Sequence, residues 1–216
     1  MDGVSSGTKG CSIINQDLSQ PRLINALRAL SDAGGRPGTN GVSLRLGGSL
    51  CDWIRYDVPD AGNNCTAADI QPKLDPNVRL GFVGGCLKAD RWDALHAFAK
   101  EARADVYFGI NALIGRHMPN CSDPATGKPY ACWALAEAHH NKSKPAPPAC
   151  CTEWYGDWDP LQAAALLRYT YTQGHALAGV EFGNELTGKG GIQAQLDPLT
   201  YAKGFQELRR EVDDIW

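Results

Sequence analysis

Asn184-Glu185 follows the apolar run Ala178 to Phe182 (AGVEF) across a single glycine, Gly183. A carboxylic acid just past a strand end can protonate a leaving oxygen as a general acid, and an amide beside it can hydrogen-bond a substrate hydroxyl. The competing role for Glu185 is structural, as a cap or ion-pair partner at a helix start. Strand parity brings more charge to the same place. In VEFGNE, Glu181, Gly183 and Glu185 share one face, and Val180 and Phe182 share the other. In VSLRLGG, Arg45 is out of phase with Leu44 and Leu46. If the apolar set faces helices, Arg45 and Glu181 point to the opposite, interior side. Buried charges need partners, so an interior Arg45–Glu181 pair is expected. The alternative is that either side chain faces a solvated loop.

Other chemistry-bearing residues carry weaker signals. Five histidines are dispersed: His96 on the polar side of a helical stripe, His117 and His139-His140 in loops, and His175 at a helix end. None has metal-ligand spacing, so solvated surface positions are expected and no metal site is. Ser49, after Gly47-Gly48, lacks the G-x-S-x-G of a nucleophile elbow. Gly84-Gly85 and Gly190-Gly191 lack the strand–helix setting of a phosphate loop. Trp133, Trp154 and Trp158 could form a sugar-stacking platform, with core packing as the plain alternative.

The elements that must hold Asn184-Glu185 are readable. Pro21 to Leu30 carries Leu23, Ala26, Leu27 and Leu30 on one face. Asp90 is placed to cap a helix with the stripe Trp92, Leu95, Ala99 and Ala102. Asp159-Pro160 starts a third helix that Gly174 stops, and Asp197-Pro198 starts a fourth. Val42 to Leu46, Asp105 to Ile110 and Ala178 to Phe182 read as strands between them, with a further strand near Cys11 to Asn15. Strands alternating with helices predict a parallel sheet, and long loops after the strands predict a βα barrel whose C-terminal loops carry function. A whole barrel needs eight strands and ~250 residues. The expected fold is therefore a partial (β/α)8 TIM barrel, roughly strands 2–4 with their helices. It is read as one incomplete domain over residues 1–216 with a Cys- and Pro-rich insertion at about 117–155.

Composition narrows the class. Net charge is -3 with mixed signs over 216 residues, which provides no footprint for nucleic acid or anionic membrane. No apolar run approaches the ~18 residues of a membrane helix. Eight cysteines and the sequons at Asn64, Asn120 and Asn141 indicate an exported glycoprotein, although the first ten residues hold no signal peptide. No CxxC pair occurs, and Cys150-Cys151 does not suit tetrahedral zinc.

At LRLGGSLCDWIRYD, GCLKADRWDALHAFAKEA, VYFGINAL and GVEFGNEL the sequence resembles the heparanase-like proteins of glycoside hydrolase family 79, plant members above all. The match runs from about Ser12 to the C-terminus, interrupted at His117 to Tyr155. The resemblance implies a secreted or cell-wall retaining hydrolase of β-glucuronosyl linkages on a (β/α)8 barrel. It implies a glucuronic-acid-containing glycan as partner and no metal or other cofactor. Glu185 matches the family's proton donor and Asn184 its neighbour. Ser49 matches a residue approaching the sugar, and Asn111 the Asn of Asn-Ala-Leu at a strand end facing the mouth. Asp157-Trp158 matches a stretch seen in plant members. A cysteine pair at the positions of Cys65 and Cys86 implies a disulfide between them. The family's nucleophile, a second Glu on the seventh strand, has no counterpart here. The chain alone is therefore expected to be an inactive piece of a working enzyme. The alternatives are a truncated product that binds glycan or a partner, and another retaining hydrolase of the same clan.

Overall fold

In the computed structural model, residues 17–34, 40–74, 82–117, 126–128, 152–188 and 192–216 are described. The strand expected near Cys11 to Asn15, the cysteines from Cys121 to Cys151, the sequons at Asn120 and Asn141, Trp133 and His139-His140 lie outside them. Helix α1 (Pro21–Gly34) leads to β1 (Val42–Leu46), a 3-10 turn (Ser49–Asp52) and β2 (Arg55–Asp57). A short helix α2 (Ala67–Ile70) precedes β3 (Lys73–Leu74) and β4 (Phe82–Val83). Strand β5 (Cys86–Lys88) runs directly into α3 (Ala89–Ala102), which leads to β6 (Ala104–Ile110). Then follow α4 (Leu161–Thr172), β7 (Gly179–Phe182) and α5 (Pro198–Ile215).

Parallel pairing joins the three longer strands in the order β1-β6-β7, with Arg45 opposite Tyr107 and Gly109 opposite Glu181. Helix α3 makes the crossover from β1 to β6, and α4 lies between β6 and β7, as parallel strands require. Two small sheets, parallel β2–β5 and antiparallel β3–β4, were not legible in the sequence because their strands are only two or three residues long. Among the described residues the strands do not close into a barrel, and no helix is long and apolar enough to cross a membrane.

Alternation decides the faces of the main sheet. Phe108, Ile110 and Phe182 are buried, and Leu46 and Val180 pack beside them against Trp92 and Leu95 of α3, Leu166 and Leu167 of α4 and Leu208 of α5. The opposite face carries Arg45, Tyr107 and Glu181, of which Arg45 and Tyr107 are exposed. Gly179 is required there, since a Cβ would lie 3.0 Å from the Tyr107 ring.

Two helix starts differ from expectation. Asp90 is not the cap of α3: the helix begins two residues earlier than a cap there would start it, straight off β5, with Lys88 at the N-cap and Asp90 in the first turn. A carboxylate there still favours the positive helix end. Helix α4 starts at Leu161, with Pro160 at the cap and Asp159 Oδ1 accepting the Leu161 N–H at 3.0 Å. Asp197 caps α5 as expected, accepting from the N–H groups of Leu199 and Thr200, both at 3.0 Å.

Cys65 and Cys86 form a disulfide, closing 21 residues and tying the loop after β2 to the start of β5. Lys88 Nζ braces it, 3.1 Å from Asp57 Oδ2 and 3.2 Å from the Cys65 carbonyl. Removing the link by a Cys65→Ala/Cys86→Ala pair should lower unfolding free energy by about 2–4 kcal/mol, because the open chain regains loop entropy. Urea melts of the two proteins check this.

Candidate active site

The loops at the C-terminal ends of β1, β6 and β7 meet, and the residues singled out from sequence sit on them. Arg45 Nε lies 2.8 Å from both Glu181 carboxylate oxygens, and an Arg45 Nη lies 2.7 Å from Glu181 Oε2. The pair spans β6, which offers only Gly109 beside Glu181 at that level. Gly47 leaves room for the pair, since a Cβ would come within 3.1 Å of Arg45 Cζ and 3.3 Å of Glu181 Oε2 and push on it. The pair is not buried as expected: its side chains are 52% and 36% exposed, because no further strand covers that face among the described residues. At such exposure an ion pair contributes at most about 1 kcal/mol, so its weight is in positioning.

Positioning extends to Asn184, whose Oδ1 accepts from Arg45 Nη2 at 3.2 Å. Asn184 and Glu185 leave the end of β7 through a sharp turn with Gly183 at φ 68° and Glu185 at φ 54°. The Gly183 N–H reaches the Ile110 carbonyl at 2.9 Å, carrying the β6–β7 pairing into the turn, and the Thr187 N–H returns to the Glu185 carbonyl at 2.7 Å. Glycine is required at 183, where a Cβ would lie 2.5 Å from Leu186 Cδ1 and 2.9 Å from Ala112 Cβ. Glu185 itself is exposed. Ser49 is half-buried at the first position of the 3-10 turn, at the end of β1.

Asn111 does not face the mouth as the resemblance implies. It is 4% exposed, and its Nδ2 donates to the Ile54 carbonyl at 3.0 Å while its Oδ1 accepts the Leu113 N–H at 2.8 Å. Its own N–H donates to the Tyr56 hydroxyl at 2.8 Å, and its carbonyl accepts from Trp158 Nε1 at 2.9 Å. Turning that amide toward a substrate would strand buried polar groups, so Asn111 organises the loop from within. Trp158 is likewise a core residue, edge-on to Phe182 with ring centroids 4.9 Å apart. Trp154 packs edge-on to Trp53 at 6.1 Å.

Two buried charged groups were missed in the sequence. Asp52 accepts the Ala112 N–H at 3.1 Å and the Asn184 N–H at 2.7 Å, and burial pushes its carboxyl up to about 7. Its signal was available: Asp52 is the one acid in the apolar run LCDWI. Arg116 donates to the carbonyls of Ala112 (2.8 Å), Gly156 (2.6 Å) and Thr200 (3.4 Å), tying the loop after β6 to the entries of α4 and α5. Burial holds its guanidinium below the usual value. His96 also departs from expectation. It is 6% exposed, stacked on His175 at 4.5 Å and edge-on to Trp92 at 4.5 Å. The segment after α4 covers that side of α3, and burial followed by the neighbouring His175 pulls the His96 imidazole down to about 4. His175 Nε2 lies 2.7 Å from Asp93 Oδ1. This cluster stands near the N-terminal ends of the strands, away from Glu185.

Parallel strands whose C-terminal ends gather an acid, an amide and a guanidinium define an α/β domain of linked βα units, the arrangement that places chemistry at one face of a sheet. The chain belongs to glycosyl hydrolase family 79, whose N-terminal domain matches residues 5–216. It is 31% identical over 205 residues to heparanase-like proteins 2 and 1 of Arabidopsis thaliana, covering 95% of this chain and 30% of each relative. To the baicalin-beta-D-glucuronidase of Scutellaria baicalensis it is 26% identical over 206 residues, 95% of this chain and 33% of that protein. The chain thus spans about a third of the length of the curated relatives it matches.

Proposed function

We propose that this chain supplies the acid/base part of a retaining glycoside hydrolase that cleaves β-glucuronosyl linkages in cell-wall or matrix glycans. Strands β1, β6 and β7 serve as strands 2–4 of its barrel. The observation that carries the reading is Asn184-Glu185 at the end of β7, with Asn184 held by the same guanidinium that binds Glu181. Glu185 protonates the leaving oxygen and then activates water, while a second carboxylate outside these 216 residues attacks the anomeric carbon. Retention needs the two carboxyl groups ~5–5.5 Å apart. The glucuronosyl preference is supported by the relative named for glucuronide cleavage. An extracellular setting is supported by the disulfide and by the exposed sequon Asn64. The 216-residue chain alone, without the nucleophile, is expected to turn nothing over.

The test is a panel of aryl β-glycosides offered to the longest natural polypeptide that contains this chain. The glucuronide should be cleaved with kcat/KM at least ~10-fold above the xyloside and galactoside, a difference of about 1.4 kcal/mol in transition-state binding. A preference for either neutral sugar would replace the glucuronidase reading with that of another retaining hydrolase.

A further inference from the structure

Asp52 is 2% exposed and takes no part in the chemistry above. Its two oxygens serve different loops: Oδ1 holds the Ala112 N–H and Oδ2 the Asn184 N–H. Asp52 ends the turn after β1, Ala112 follows β6 and Asn184 follows β7, so one carboxylate joins the C-terminal ends of all three strands. The backbone it grips is strained. Glu185 sits at φ 54°, in the left-handed region that costs a residue with a Cβ on the order of 1 kcal/mol or more. Such a conformation persists only when its surroundings over-determine it. Hydrogen bonds from the Gly183 and Thr187 N–H groups hold this turn backbone to backbone, Arg45 holds the Asn184 side chain, and Asp52 grips the Asn184 backbone N–H.

That hold is costly to the fold. Among the described residues no ion pair to Asp52 offsets its burial, and its charge adds to burial in raising the hydroxyls of Tyr56 and Tyr201, neither a cation. Burial pushes its carboxyl from the ordinary carboxylate value of ~4 up to about 7 in the fold, so folding takes up a proton between those values. The contribution of Asp52 to stability is therefore most favourable at acid pH and declines as pH rises from about 4 through about 7, opposite to an ion-paired carboxylate. A buried acid retained at such a cost, gripping the residue before Glu185, points to a role in the site.

We propose that Asp52 is a positioning residue: by clamping the Asn184 and Ala112 amides together it sets the direction in which Glu185 leaves the sheet. This rests on Glu185 being the acid/base. An Asn at 52 cannot replace it, because the two N–H groups meet different oxygens, and the amide would present its NH2 group to one of them.

The experiment compares wild type, Asp52→Asn and Glu185→Gln in the longest natural polypeptide, on an aryl β-glucuronide. Asp52→Asn should lower kcat about ten- to a hundredfold with KM within about threefold, the mark of a misplaced catalytic group. Its melting temperature at pH 8 should not fall, since the variant also removes an uncompensated buried charge. Retention of kcat within about twofold, or a kcat loss accompanied by a lower melting temperature, overturns the proposal. Amide NMR keeps the test independent of activity. The Ala112 and Asn184 N–H resonances of wild type should titrate with one shared midpoint that Asp52→Asn abolishes, and separate midpoints overturn the clamp. If wild type and Glu185→Gln turn over equally, the acid/base reading fails, and the shared titration still decides whether Asp52 holds the loops.

Discussion

Replacing Glu185 by Gln should lower kcat on an aryl β-glucuronide with a poor leaving group by about 10²–10⁴, the usual contribution of a positioned general acid. Gln has the same shape and length, so binding should change little and the loss should appear in kcat. The leaving group supplies a sharper diagnosis. With a strongly acidic aryl group, departure needs little protonation and the glycosyl-enzyme still forms. Water then attacks it without a base, so the intermediate accumulates and a burst of aryl alcohol precedes slow turnover. Azide needs no base and should restore turnover, yielding the β-glucuronosyl azide. Glu181 is the rival carboxylate at that end of β7, but Arg45 engages both of its oxygens at 2.8 Å. Unchanged kcat with the poor leaving group, or no rescue by azide, would remove Glu185 from the acid/base role.

The second large effect concerns the scaffold. Trp92 is 0% exposed on α3, its ring edge-on to Phe108 of β6 at 4.8 Å, and its Nε1 donates to Thr170 Oγ1 of α4 at 2.9 Å. One side chain thus joins two helices to the central strand. Trp92→Ala should cost about 3–5 kcal/mol through lost burial and the cavity left behind. Thr170 Oγ1 keeps its bond to the Leu166 carbonyl at 2.6 Å but loses the indole donor. Domain stability is about 5–15 kcal/mol in total, so much of the folded population is at risk. Urea melts in the polypeptide used for kinetics measure it, and a loss below about 1 kcal/mol would show that the helices do not depend on this contact.

The helices of 12 or more residues and the strands of four or more were legible because their apolar patterns are local properties of the chain. Amphipathic spacing marked α1, α3 and α5, short apolar runs marked β1, β6 and β7, and period two gave the faces of β1 and β7. Parity alone put Arg45 and Glu181 on the face away from the helices, since alternate side chains must point to opposite sides. The pairing of Cys65 with Cys86 came from family resemblance, because connectivity is not a local property. Helix starts were off by two residues where a strand adjoined α3 and by one where a proline adjoined α4. Asp90 is a good capping residue, yet the chain was already turning at Lys88 when β5 ended.

The sequence by itself determined the βα order, the polar and apolar faces of each strand, and the arrival of Asn184-Glu185 at a strand end. These depend on spacing of two to four residues, and local sterics settle them. Only the tertiary structure decided which polar groups are buried and what each one holds. His96 looked solvated until the segment after α4 laid His175 over it. Asn111 looked available until Ile54, Leu113, Tyr56 and Trp158 converged on it. Asp52 went unread in the sequence, and its partners Ala112 and Asn184 lie 60 and 132 residues further on. Burial and hydrogen bonding are set by whatever the fold brings near, and no local pattern records a partner that distant.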